Sequence, residues 1–236
     1  MLEKFDRPIL QFCALFSHKS EVFDRFFVNM LARPSYKTLP LFAILWFLWF
    51  REKDREQARQ YTLLAAIAGT MSFITSRTIQ NFVSERPRPM HTPAMADVYK
   101  APYGVNKDML ENWSSFPSDH AALVYGLSSA LFIYNRWVGL LAFFWSTVVV
   151  CAPRVYAGYH YASDILAGLI VGMGVCAVLR MTALPAIGHL VRGLEQFEAK
   201  YKGAFYALAF MVAFEFVIMF NDVREPLRTL AEHMGF

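Results

Sequence analysis

Charge is scarce in this sequence: Asp, Glu, Lys and Arg together make 18% of its 236 residues, against about a quarter in an ordinary soluble domain. Hydrophobic residues make 56% and the mean hydropathy is +0.31. That balance excludes an ordinary soluble domain and predicts a polytopic membrane protein. Cysteine is also scarce. Cys13, Cys151 and Cys176 are odd in number, lie in or near apolar stretches and show no metal-ligand spacing, so they are read as inert packing residues. A basic stripe with interleaved aromatics is missing too, so the net charge of +4 is assigned to lipid headgroups or a phosphate substrate, and no nucleic-acid partner is expected. No cleavable signal peptide is expected, because Glu3, Asp6 and Pro8 fall in the first ten residues and His18 and Lys19 interrupt the short apolar run after them. There is no internal repeat or low-complexity tract.

What is present is a series of apolar segments separated by polar ones, predicting an all-α transmembrane bundle of about six spans in a single domain over residues 1–236. Residues 1–35 are mixed, with Phe5, Ile9, Phe12, Leu15 and Phe16 on one face, and fit an interfacial helix or a tilted re-entrant span. Segment 38–50 is short for a crossing and must borrow residues from 22–37; Trp46 and Trp49 near its end are read as interface anchors. Residues 51–60 form a polar link expected to lie in water. Segment 61–83 is long enough to cross, with Arg77, Gln80 and Asn81 marking both a membrane exit and a site. Residues 84–118, with Pro87, Pro89, Pro93, Pro102 and Pro117, read as a functional loop. Segments 119–134, 137–152, 161–179 and 204–220 complete the crossings, with Gly168, Gly172 and Gly174 as small contacts, a polar link at 180–202 and a polar tail at 221–236. The charges of the links at 51–60, 135–136 and 180–202 fit a cytoplasmic location for them.

Three polar islands then fall at one membrane face. The first holds Glu85, Arg86 and Arg88; the second runs from Ser114 to Ala122; the third holds Arg154, Tyr156, Tyr159, His160 and Asp164. Ser118 is a candidate N-cap, with His120 at the anion-favouring start of the next helix. His160 and Asp164 are four apart, so the carboxylate is expected to accept a proton from the imidazole and fix its tautomer. That leaves the other nitrogen free as a nucleophile or base, while His120 can give a proton to a departing oxygen. Arg88 and Arg154 offer guanidinium forks suited to phosphoryl oxygens. Asp119 and Glu85 read as solvent-side charges, and Tyr156, Tyr159 and Tyr161 as interface aromatics. A divalent ion on the histidines and carboxylates is the alternative, but the two arginines already bring the charge a metal would supply, so no metal or other cofactor is expected.

At these residues the sequence resembles the membrane-bound type 2 phosphatidic acid phosphatase (PAP2) superfamily. Its three blocks, Lys-x6-Arg-Pro, Pro-Ser-Gly-His and Ser-Arg-x5-His-x3-Asp, are met by Asn81-x6-Arg88-Pro89, Pro117-Ser118-Asp119-His120 and Pro153-Arg154-x5-His160-x3-Asp164. The resemblance implies that His160 is the phosphorylated nucleophile, Asp164 its orienting partner and His120 the acid. It also implies that Arg88, Ser118 and Arg154 hold the phosphate. Asn81 stands where the family has Lys, with Arg77 or Arg86 as compensating cations; Pro153 replaces a Ser, and Asp119 replaces the Gly. The Pro-Ser-Asp-His form resembles the bacterial undecaprenyl-diphosphate phosphatase branch. It implies removal of the terminal phosphate of undecaprenyl diphosphate, at the outer face of the cytoplasmic membrane. The partners expected are membrane lipids and an isoprenoid or glycerophospholipid phosphate substrate. The rival readings are a phosphatase or phosphotransferase for phosphatidylglycerophosphate, phosphatidic acid or lipid A, and, from another class, a transporter or structural bundle.

Overall fold

The computed structural model describes residues 2–106, 108, 110 and 113–218; the tail at 221–236 and the end of the last expected segment lie outside them. Among the described residues the protein is all-helical, with no strand. Its helices are α1 (Leu2–Ala14), α2 (Glu21–Ala32), α3 (Pro34–Trp49), α4 (Arg55–Phe82), α5 (Asp119–Tyr134), α6 (Arg136–Trp145), α7 (Ala152–Tyr156), α8 (Ala162–Thr182), α9 (Leu184–Lys200) and α10 (Lys202–Val217). A π-helical stretch, Ser146–Cys151, joins α6 to α7. By length and composition, Arg55–Phe82, Arg136–Tyr156 and Ala162–Thr182 suffice to cross a membrane, while α3, α5 and α10 are 16 residues each.

The bundle is organised around α5, which packs against α4, α8 and α6. Its residues from Ala121 to Leu131 are all buried, which fits its lack of a polar face. Small residues let α8 approach closely: a Cβ on Gly172 would lie 2.6 Å from the Gly126 nitrogen, and one on Gly168 would lie 2.6 Å from the Ser118 carbonyl. This approach brings the Ser118 N–H to the Asp164 carbonyl at 3.0 Å, so helix packing itself brings the second and third polar islands together. Gly174, expected to share that role, faces open space.

Several expectations are corrected. The link at 180–202 is largely a helix, α9, which packs on α4. Helix α4 begins within the link at 51–60, and Arg59 is buried there rather than in water. Its guanidinium lies 4.6 Å over the Trp49 ring and donates to Glu195 (3.1 Å) and Glu198 (2.8 Å), so Trp49 is a buried partner and not an interface anchor. Helix α1 packs against α7 and α8, which explains how Asp6, a poor candidate for a bilayer, is accommodated: it is fully buried against protein. As expected of 84–118, the segment holds only two short 3₁₀ turns, Pro89–His91 and Pro93–Met95, among its described residues.

Candidate active site

Ser118 precedes α5 as its N-cap residue, but its hydroxyl makes no capping bond and, fully buried, has no hydrogen-bond partner among the described residues. The turn before it is held from α4, where Ser76 Oγ (3.0 Å) and Gln80 Nε2 (2.5 Å) both donate to the Pro117 carbonyl. The polar end of α4 therefore shapes the second island.

His160 lies just before α8 and is 3% exposed. Its Nδ1 is 2.8 Å from the Ser115 carbonyl, whereas Asp164 Oδ2 is 3.7 Å away. The expectation that Asp164 directly accepts the imidazole proton is thus corrected. The helical i,i+4 relation does not hold, because α8 starts only at Ala162 and Asp164 Oδ2 accepts the Tyr161 N–H (2.8 Å) at that helix start. An Nδ1–H donated to Ser115 leaves Nε2 with its lone pair, 3.4 Å from Arg88 Nη1. Burial pushes the His160 imidazole below its ordinary value of 6.5, which keeps it neutral at pH 7.

His120, partly exposed, is held through Nδ1 by Asp119 Oδ1 at 2.8 Å. Asp119 also faces Arg77 Nε at 3.6 Å and is 7% exposed, so it is not the solvent-side charge expected, and the residue in the family's Gly position fixes the adjacent imidazole. Glu85, by contrast, is exposed.

Arg88 and Arg154 are each 4% exposed, and neither forms an ion pair among the described residues. Arg88 donates through Nη1 to the Tyr159 carbonyl (2.6 Å), while its buried Nε has no partner among the described residues; Arg154 Nη1 donates to the Val150 carbonyl (2.6 Å) in the π-helical stretch. The irregular helix there runs into Pro153 at the start of α7. Burial lowers the Arg88 pKa from its ordinary value, but the group remains a cation at neutral pH. Gly158 turns the chain back toward His160 at φ +70°, and a Cβ there would lie 2.4 Å from the Tyr99 ring.

The auxiliary candidates separate. Arg77 and Asn81 line a polar cavity of about 620 Å³ with Gln80, Glu85, Arg86, Trp113 and Ser114; the two histidines, Arg88, Arg154 and Ser118 are not among its lining residues. Arg86, expected to compensate for the missing Lys, instead bonds Asp6 and Asp164. Tyr156 and Tyr161 are buried, bonding Asp24 (2.5 Å) and Thr92 (2.9 Å), and are not interface aromatics. Sequence reasoning missed the Ser115 carbonyl, since backbone groups leave no signature in residue types. It also missed Asp6, whose one signal was an acid on an otherwise apolar-faced helix.

Fold and site together define a multi-pass helical membrane protein that gathers two histidines and two buried arginines at one end of its bundle. The model of the PAP2 superfamily matches residues 62–186, more than half of the sequence, and the chain belongs to that superfamily of phosphatases. It is 29% identical over 160 residues to the Escherichia coli (strain K12) protein named "Putative undecaprenyl-diphosphatase YbjG", covering 67% of this chain and 73% of that one. It is 27% identical over 168 residues to Undecaprenyl-diphosphatase BcrC of Bacillus subtilis (strain 168), covering 66% and 73%. The crystal structure of Aquifex aeolicus LpxE shares the fold, with a TM-score of 0.50 at 21% identity over 74% of this chain and 93% of that one.

Proposed function

We propose that the protein hydrolyses undecaprenyl diphosphate to undecaprenyl phosphate and inorganic phosphate through a phosphohistidine on His160. The observation that carries this reading is the buried Arg88 guanidinium 3.4 Å from the neutral His160 imidazole, with a second buried guanidinium, Arg154, neither in an ion pair among the described residues. A buried cation without a counter-charge is costly, and a phosphoryl group supplies three oxygens to answer it. The names of the relatives in Escherichia coli and Bacillus subtilis support the diphosphate as substrate.

His160 Nε2 attacks the terminal phosphorus, and the bridging oxygen leaves with undecaprenyl phosphate, taking a proton from His120 as it departs. The Ser115 carbonyl holds the Nδ1–H, and the Asp164 carboxylate at 3.7 Å stabilises the phosphorylated, positively charged ring. Arg88, Arg154 and the Ser118 hydroxyl bind the equatorial oxygens, whose charge is greatest in transit. His120, now neutral, then takes a proton from water as it attacks phosphorus; phosphate leaves and His160 is restored. The arginines bring the positive charge to this step, so no metal ion is called for. The site faces the outside of the bacterial cytoplasmic membrane, where a lipid-carrier diphosphate is released.

Phosphate release by the detergent-solubilised protein, with chelator present, tests this on undecaprenyl diphosphate, phosphatidylglycerophosphate and phosphatidic acid. The diphosphate is expected to be preferred, with loss in His160→Ala. Preference for a glycerophospholipid would overturn the substrate, transfer to a lipid hydroxyl would overturn hydrolysis, and no turnover of any of them would overturn the enzyme.

A further inference from the structure

Helix α1 lies outside the residues matched by the family model, yet it reaches into the site. Asp6 has no exposed surface. Its Oδ1 accepts the Ser163 N–H at 2.9 Å, and its Oδ2 accepts Ser163 Oγ at 2.6 Å and Arg86 Nη2 at 2.7 Å. The other end of the same guanidinium, Nη1, donates to Asp164 Oδ1 and to Ser163 Oγ (2.8 Å). Arg86 is thus shared between two fully buried carboxylates, and its guanidinium carbon lies 4.0 Å from the centroid of the Tyr161 ring. The second of those carboxylates is the one beside His160.

Arg86 also lines the 620 Å³ polar cavity and keeps 20% of its side chain exposed. It is therefore within reach of any anion that enters. Two demands compete for this one cation. Bonded to Asp164 it fixes the carboxylate next to the reacting ring; turned toward the cavity it would bind phosphate and leave Asp164 unsupported. A single carboxylate would compete poorly with a phosphate for a bidentate guanidinium. A second one, rigidly held by both donors of Ser163, changes that balance.

We propose that Asp6 is a positioning residue: from α1 it retains Arg86 on Asp164 and withholds it from the substrate phosphate. This rests on the phosphatase reading above. A purely structural anchor for α1 would not need to engage the arginine that bonds the carboxylate beside His160. Of Arg86, Arg88 and Arg154, only the last two then meet the substrate phosphate, and product phosphate leaves without Arg86 to hold it.

The test is Asp6→Asn in the full-length protein, with kcat per folded molecule and the affinity for inorganic phosphate both measured. Phosphate affinity is read by direct titration, so it reports on Asp6 even if no lipid substrate turns over. The expected result is kcat reduced about tenfold with phosphate bound several-fold more tightly, the tighter binding vanishing in Asp6→Asn/Arg86→Gln. A residue that merely holds the fold together would lower the folded fraction without tightening phosphate, and unchanged phosphate affinity in Asp6→Asn overturns the proposal. If that variant does not accumulate, Asp6→Glu keeps the charge but displaces it, and must show the same directions at smaller size. Wild-type values for both quantities in Asp6→Glu would then overturn the proposal. A wild-type protein that releases no phosphate from any lipid would instead overturn the phosphatase reading.

Discussion

The protein buries an arginine at each of two polar clusters, and the two are answered differently. Arg59, 2% exposed, meets two carboxylates, Glu195 and Glu198, and gives its Nε to the Trp49 carbonyl at 3.0 Å. Arg88, 4% exposed, meets carbonyls and a neutral imidazole, keeps its Nε unbonded and has no ion pair among the described residues. Among the described residues Ser115 Oγ and Ser118 Oγ nearby are likewise buried without partners, whereas the Arg59 cluster has one such atom, Trp49 Nε1. Buried polar atoms are normally satisfied, and three orphans around one buried cation make that cluster the candidate place for a ligand to complete the bonding. One cluster pairs its cation with carboxylates; the other leaves it for the anion proposed above.

The contrast can be broken most severely at the proposed nucleophile. His160→Ala should lower phosphate release by about a thousandfold or more, since it removes the nitrogen proposed to carry the phosphoryl group. Next come the arginines themselves. Arg88→Gln is expected to lower kcat/KM about a hundredfold, as loss of a charge-assisted phosphate contact, with little change in thermal midpoint. Arg59→Gln should do the reverse, lowering the midpoint while leaving kcat/KM per folded molecule within about threefold, because it breaks a buried pair remote from the chemistry. Equal kinetic losses in the two would remove the distinction. Asp119→Asn, which weakens the hold on His120 Nδ1, should reduce kcat about tenfold. Ser118→Ala is the smallest case. Its hydroxyl has no partner to lose, so stability should be unchanged or slightly raised, while phosphate affinity falls. The pH profile sharpens the same point: burial depresses the His160 pKa below 6.5, and the nucleophile is lost only on protonation. The acid limb of kcat/KM attributable to His160 should therefore lie below that value.

Much of this was legible in the sequence. The spacing of the apolar segments predicted the all-helical architecture, and α5 begins and ends at the expected residues, Asp119 and Tyr134. The three islands marked His120, His160, Arg88 and Arg154 as candidates from residue types, with Ser118 as the helix N-cap, and the structure brings them to one end of the bundle. Three features were not legible, each for a physical reason. The Ser115 carbonyl is a backbone group, and the geometry that turns it toward His160 depends on long-range packing. Asp6 and Arg86 meet across 80 residues of sequence, and their pairing comes from how α1 packs on α7 and α8. Arg59 read as part of a watery link because short-range composition does not reveal that α9 lies across it with two glutamates.

The central claim is that His160 carries the phosphoryl group. The most direct test is to give the protein undecaprenyl diphosphate labelled in its terminal phosphate, quench in alkali during turnover and map the label. The account predicts acid-labile label on the peptide containing His160, absent in His160→Ala. Turnover without bound label, or label on a different residue, would contradict it.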